Sequence, residues 1–359
     1  MEDPRTDDGH ETGADLRYEG RYDAFDPSGL QTYPLSSRPN KVKLEDLVRP
    51  ADVLERDYSP TPDQLAVIDD AADQIVTAGR ADRPVVIITG AHLIKNGLGP
   101  LLFDLIERRL VTLVATNGAG AIHDFELALI GETSEHVPNA LPTGQFGMAY
   151  EFAYMNEAIN LGHAMHLGLG ESLGRMICDR VFRRQVLERV RREGSPEYFE
   201  HPEVSVLAAA YQRGVPMTVH ASIGTDVTDQ HPSCDPAAKG GTSGRDFLIF
   251  TQCMTTFTEG GVVLNIGSAV TGPEVLLKAV SMAGNVGRPP NGLITVDFDI
   301  RPREADAMTD ETKAGYYYRD QKSVVTRIPE AFGGRGLYVQ GDQRVTIPVL
   351  YQAIRRRLG

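Results

Sequence analysis

The chain has 359 residues and a formal net charge of −13, from 49 acidic against 36 basic side chains. That balance argues against nucleic acid or an anionic membrane surface as a partner, and no apolar run is long enough for a membrane-spanning helix. Three cysteines, Cys178, Cys234 and Cys253, are odd in number and lack metal-ligand spacing. With an acidic amino-terminal stretch that carries no secretory signal, they fit a cytoplasmic location and no disulfide frame.

Residues 1–40 are rich in Asp, Glu, Gly and Pro and read as a mobile arm, with Tyr18, Tyr22, Phe25 and Tyr33 free to anchor it on a neighbouring subunit. Residues 41–359 read as one large α/β domain, ordered from Lys41 onward. Thr61-Pro62-Asp63-Gln64 marks a helix start, with Thr61 as N-cap and Pro62 in the first helical position. Pro84–Ile88 is a short β-branched run of the kind that forms a buried strand. It enters the turn Gly90-Ala91-His92-Leu93-Ile94-Lys95-Asn96-Gly97, and a helix follows from about Gly99 to Arg109.

A second unit repeats this plan. Val111–Ala115 is the strand, Thr116-Asn117-Gly118-Ala119-Gly120-Ala121-Ile122-His123-Asp124 is the turn, and a helix runs to about Ile130. Glycines after a strand let the backbone approach a ligand, and the helix start that follows offers free N–H groups. Two such units in series describe a doubly wound, mostly parallel sheet with its ligand at the carboxyl ends of the strands. Neither turn has Gly-x-Gly-x-x-Gly or Gly-Lys-Ser/Thr, so the common dinucleotide and phosphate-loop fingerprints are missing. Lys95 is open to two readings, an anion or carbonyl partner and a solvated loop lysine. Asn117 and Asp124 are likewise open to ligand binding and to helix capping.

Residues 131–200 form an insertion, mostly helical after Ala153. His163, His166 and Glu171 within it do not make a metal set, and no metal is expected. Strand Val215–His220 then leads to the densest polar cluster of the chain, His220 to Pro232. There Asp226 and Asp229 suit a cationic group or general-base work, and His231 suits proton transfer. Lys239-Gly240-Gly241-Thr242-Ser243-Gly244-Arg245 reads as an anion-binding or lid loop at a helix start. Strand Gly261–Ile266 precedes Gly267-Ser268 and a helix over Glu274–Ala283. Strand Leu293–Phe298 runs to Asp297 and Asp299. A polar loop passes Tyr316–Tyr318, and strand Leu337–Val339 precedes a carboxyl-terminal helix from about Ile347.

Over roughly residues 40–355 the order of these motifs resembles the deoxyhypusine synthase family. Gly90–Gly97 stands where that family has Thr-Ser-Asn-Leu-Ile-Ser-Ser-Gly, and Asn117–Asp124 where it has Thr-Ala-Gly-Gly-Val-Glu-Glu-Asp. Thr225-Asp226-Val227-Thr228 stands for Thr-Asp-Gly-Ser, and Asn265–Thr271 for its glycine-rich strand end. The resemblance implies a Rossmann-like NAD-binding fold, a homotetramer with sites at subunit interfaces, and chemistry that oxidises an amine, transfers a group through a lysine imine and returns the hydride. It places His92, Asn117, Gly118, Gly120, Asp124, Thr225, Gly267 and Ser268 around NAD. The imine-forming lysine falls on or near Thr271, which cannot form a Schiff base, and Tyr211 replaces a substrate-side histidine. The expected function is therefore an NAD-dependent transferase or oxidoreductase acting on a small amine or polyol, not deoxyhypusine synthesis. Lys95, Asp226, Asp229 and His231 are its candidate catalytic residues. Two alternatives stand beside it. One is a redox-neutral lyase or isomerase gripping a phosphorylated metabolite with Lys95, Lys239 and Arg245. The other is a non-catalytic nucleotide sensor that signals through the 1–40 arm.

Overall fold

The structure is a computed structural model that describes residues 18–190 and 198–359. Its centre is a six-stranded sheet built from β2 (Val85–Thr89), β3 (Leu113–Asn117), β5 (Met217–His220), β6 (Gly261–Ile266), β7 (Leu293–Asp299) and β8 (Arg335–Gln340). The spatial order is β5-β3-β2-β6-β7-β8, and every neighbouring pair is parallel. The chain starts in the middle at β2, works outward through β3 to β5, then returns to the other side of β2. This is the 3-2-1-4-5-6 order of a doubly wound Rossmann-type sheet, and its switch point lies between β2 and β6. A separate two-stranded ribbon joins β1 (Asn40–Lys43) antiparallel to β4 (Glu132–Glu135).

The central strands are apolar throughout because helices cover both faces. Val85, Ile87, Val114, Leu264 and Val296 face one apolar cluster with helices Pro62–Arg80, Gly99–Glu107 and Gln343–Leu358. Val86, Ile88, Leu113, Ala115 and Val263 face the other, under helices Pro236–Met254 and Thr271–Asn285. Helix Pro62–Arg80 starts as its sequence dictates: Thr61 Oγ1 accepts from Gln64 N, Gln64 answers to Thr61 N, and Pro62 opens the first turn.

The outer edge of β5 is closed by side chains. Val219 N donates to Asp246 Oδ2 at 2.7 Å, Ala221 N donates to Ser243 Oγ at 3.0 Å, and Ser243 Oγ donates to Val219 O at 2.9 Å. Asp246 also accepts from Gly170 N, tying helix Leu169–Cys178 to the same edge.

Several sequence expectations change. Residues 1–17 of the arm lie outside the described residues. Of the rest, Tyr22 and Phe25 are exposed, but Tyr33 bonds through its backbone to Met148 and Tyr150, and Leu35 is buried. The docked chain therefore begins near residue 33 rather than 41. Lys239–Arg245 is not a loop: helix Pro236–Met254 runs straight through it. Gly241 serves packing there, since a Cβ on it would lie 2.4 Å from the His163 ring. The carboxyl-terminal helix starts at Gln343, capped by Asp342, and keeps Pro348 in its interior. The stretch read as polar loop contains a π-helix, Asp320–Arg327, with Val324 and Val325 buried.

Candidate functional site at the carboxyl ends of the strands

The switch point brings two backbones together. Gly90 N donates to Ile266 O at 3.0 Å, and a Cβ on Gly90 would lie 2.3 Å from Gly267 O. Gly267 itself has φ +63°, a conformation that favours glycine, and Gln343 leaves no room for a side chain on it. Ser268 is buried, and its Oγ accepts from Gly272 N at 2.9 Å, capping helix Thr271–Asn285. Across the crevice, the short helix His92–Lys95 follows β2. Burial, then the neighbouring Lys95 and His123 side chains, hold His92 below the usual imidazole range, so it is neutral at physiological pH.

His123 belongs to a polar chain. Its Nδ1 lies 2.7 Å from Thr133 Oγ1, Thr133 donates to Glu126, and Arg38 Nη2 donates to Glu126 Oε1 at 2.8 Å. Glu126 is fully buried, yet His123 and Arg38 outweigh that burial and keep its carboxyl below the ordinary range.

At the end of β3, Asn117 Oδ1 accepts from Gly120 N at 2.9 Å and caps helix Gly118–Ile130. Gly118 is a glycine because the Asp226 carboxylate fills the space beside it: a Cβ there would lie 1.9 Å from Oδ2. A Cβ on Gly120 would meet Thr116 Oγ1. Asp226 leads into a triad. Lys239 Nζ donates to Asp226 Oδ2 at 2.8 Å and also to Asp229 Oδ1. These side chains are 4%, 7% and 8% exposed, so the ion pairs are desolvated. Asp229 Oδ2 further accepts from Gly224 N and Asp226 N. Burial acts to lower Lys239, but its two carboxylates outweigh it and hold the ammonium above its ordinary value. Burial raises Asp226 against the pull of Lys239. At 2.8 Å from a firmly protonated lysine the carboxylate stays ionised at neutral pH. His231 sits beside the triad, lowered to about 4 by burial, and its Nδ1 accepts from Ser233 N at 3.1 Å. Thr225 is exposed, with Oγ1 donating to Ser222 O.

Strand spacing of about 4.8 Å puts the ends of β3 and β6 roughly 10 Å apart, on either side of β2. His92 and Lys95 follow the carboxyl end of β2, Asn117 and Gly118 lie at the end of β3 with Asp226 against Gly118, and Gly267 and Ser268 follow β6. Asp124 is a correction. It has no exposure, and its carboxylate accepts from Ser205 Oγ at 2.6 Å, Val206 N at 2.8 Å and Leu207 N at 3.0 Å. Both oxygens cap helix Val206–Arg213, so nothing remains for a cofactor. Burial raises it to about 6, against those three donors. The phosphate reading also loses its grip. Lys239 is held in the triad, and Arg245 Nη1 donates to Leu167 O at 3.2 Å. Tyr211 lines a different cavity of about 270 Å³, with Glu171, Thr218 and Asp246, by the amino end of β5.

Sequence reading passed over the third part of this edge. Asn265 pairs in register with Asp297, and its Nδ2 donates to Asp297 Oδ1 at 2.7 Å. Asp299 and Asp320 flank Arg301, whose Nε donates to Asp299 Oδ2 at 2.6 Å and whose Nη2 contacts both carboxylates. The available signal was two acids at alternate positions of a strand that is otherwise apolar, placing both on one buried face.

The fold is that of a doubly wound, parallel α/β protein with helices on both faces of its sheet. No protein-family model matches the chain, and no curated protein does. Solved structures similar to it include ArgZ, an arginine dihydrolase from the ornithine-ammonia cycle in Cyanobacteria, at 15% identity and a TM-score of 0.44, covering 81% of this chain and 33% of that one. AgrE, solved with ornithine and NAD+, matches at 16% and 0.47 over 83% of this chain and 34% of its own. A protein of Entamoeba histolytica assigned as a deoxyhypusine synthase matches at 11% and 0.44, over 83% and 91%. The chain thus spans about a third of the length of ArgZ and AgrE. At these scores the likeness is remote, and no residue role transfers from it. Among the described residues no helix is long and apolar enough to cross a membrane.

Proposed function

We propose that the chain is an NAD-dependent enzyme related in kind to the deoxyhypusine synthases, a transferase or oxidoreductase. It acts on a small amine or polyol by transient oxidation followed by transfer or rearrangement. One observation carries the reading: the side-chain-free contact between Gly90 and Gly267 at the switch point of a 3-2-1-4-5-6 sheet. In such a sheet a dinucleotide crosses the switch point, with its phosphates toward helix N-termini. The start of helix Gly118–Ile130 is the terminus that faces this edge. When bound, NAD supplies the hydride acceptor.

The chain's own groups do the rest. Two carboxylates against one ammonium leave the Asp226–Asp229–Lys239 triad with a net negative charge, which attracts a cationic amine. His231 is neutral, and with Nδ1 engaged by Ser233 N–H its other ring nitrogen carries the proton. In this reading His92, also neutral, and Lys95 polarise an oxygen of the substrate. Lys239 does not replace the missing imine-forming lysine, because an ammonium held by two carboxylates is not a nucleophile. Deoxyhypusine synthesis stays outside the proposal because Thr271 stands on or near the position of the imine-forming lysine and cannot form a Schiff base. A homotetramer with sites at subunit interfaces belongs to the same reading, and light scattering reads it directly.

The decisive test is titration of purified protein with NAD(H) and NADP(H), followed by calorimetry and by NADH fluorescence. Saturable binding of one nucleotide per chain is expected. Absence of binding by all four forms would overturn the proposal.

A further inference from the structure

Beyond the switch point, the carboxyl ends of β6, β7 and β8 enclose a second polar cluster. Asp297, Asp299 and Asp320 each offer a carboxylate oxygen, and the three lie within 4.8 Å of one another. Two of them share Arg301. The third does not. Asp297 has no exposure, its Oδ1 takes the Asn265 amide, and its Oδ2 has no hydrogen-bond partner. The Oδ1 of Asn265 and the Oε1 of Gln321, both in residues without exposure, are also unpartnered. A buried oxygen without a donor is costly, and Asp297 Oδ2 is such an oxygen within the carboxylate cluster, a fully buried acceptor that lacks a positive partner.

The charges say what that partner is. With all three carboxyls ionised, as cation ligands must be, the single guanidinium leaves two negative charges to be balanced. One divalent cation balances them. Oxygen ligands bind hard cations at about 2.0–2.6 Å, so oxygens sharing one ion lie up to about 5 Å apart. The spacing found here falls within that limit. There is no sulfur or imidazole in the set, which selects Mg²⁺, Mn²⁺ or Ca²⁺ over zinc or copper. We propose that Asp297, Asp299 and Asp320 form a divalent-cation site of this class, with Asp297 as its anchoring ligand. The π-helix Asp320–Arg327 makes it possible, because it sets Asp320 against a strand to which it is not adjacent in sequence. Arg301 stacks 4.5 Å from the Tyr318 ring and is partly exposed, so it can stay on the Asp299 side while the ion takes the Asp297 side.

The test uses the full chain, stripped with chelator and titrated with Mn²⁺ while electron paramagnetic resonance reads the free ion. One Mn²⁺ per chain is expected, displaced by Mg²⁺ or Ca²⁺. Asp297→Asn, an isosteric change, should weaken uptake at least tenfold, and Asp320→Asn should do the same. Arg301→Gln should tighten it, since a competing cation is removed. Circular dichroism melts confirm that each variant is folded. No Mn²⁺ uptake by the wild type and by Arg301→Gln would overturn the proposal. So would uptake by folded Asp297→Asn equal to that of the wild type.

Discussion

Replacing Lys239 with Met tests whether the triad beside Gly118 is a desolvated electrostatic unit. At 2.8 Å and an effective dielectric constant of about 20, the Lys239–Asp226 attraction is about 6 kcal/mol before desolvation is subtracted. Desolvation of both partners offsets most of it, so the pair's net worth is small. Removing one partner is another matter, because it strands Asp226 and Asp229, 7% and 8% exposed, side by side. Stranding of this kind costs about 3–5 kcal/mol. Lys239→Met should therefore lose that much at pH 7 in urea unfolding followed by circular dichroism. The sign of the pH dependence follows. Without the ammonium that pulls it down, the already raised Asp226 carboxyl lies further above its unfolded value, so the variant is favoured at low pH and loses stability as pH rises through the folded pKa. Its deficit against the wild type should shrink toward pH 4. The triple variant Asp226→Asn, Asp229→Asn, Lys239→Met should recover much of the loss at pH 7. A single-variant loss below about 1 kcal/mol, the range of an exposed pair, would refute the reasoning. So would a triple variant no better than the single one.

Four further outcomes are expected. Asp226→Asn should abolish turnover while NADH affinity changes less than twofold in fluorescence titration; a parallel loss of both would move Asp226 into the cofactor site. Asp124→Ala should cost about 3 kcal/mol in urea unfolding, through three lost hydrogen bonds at a buried helix start, and leave NADH affinity unchanged. A drop in affinity without a drop in stability would restore it as a cofactor ligand. Gly90→Val should eliminate nucleotide binding, since its Cβ alone collides with the Gly267 carbonyl; binding retained by a folded variant would remove the crevice from the function. Burial lowers His220 and His231 to about 4 each. An unfolded imidazole titrates near pH 6.5, so both contribute fully above that value and lose their contribution as pH falls toward 4. Each such shift corresponds to roughly 3 kcal/mol. The wild-type unfolding midpoint should therefore fall further, or rise less, between pH 7 and 4 than that of a folded His220→Asn, His231→Asn double variant, a difference that cancels the opposite contribution of buried carboxyls such as Asp124; identical profiles would contradict the burial of both rings.

The sheet was legible because buried parallel strands announce themselves as short β-branched runs. Val85–Ile88, Gly261–Ile266 and Leu293–Phe298 are all found within a residue of their expected ends. Thr61 and Pro62 were equally plain, since capping is local chemistry. Local chemistry also explains the failures. Gly240, Gly241 and Gly244 signal a loop by propensity, but the helix runs through all three, and of them only Gly241 is held to glycine by the His163 ring packed against it. Asp124 was read from its place after a strand, when its partners Ser205, Val206 and Leu207 lie some 80 positions away in sequence. Lys239 and Asp320 meet their carboxylate neighbours only through the tertiary fold, so no local spacing could reveal either cluster. The π-helix was invisible for the same reason: its turns depend on packing against β7 and β8.

The sealed border of β5 restricts how copies of this chain can associate. Outward-pointing amides of Val219 and Ala221 and the Val219 carbonyl already have partners within the subunit. A visiting strand would find no donors or acceptors to zip onto there, so quaternary growth by extending the sheet past that border is blocked. Sheet extension between copies is thereby confined to the opposite border at β8, on the far side of the sheet from β3 and β5.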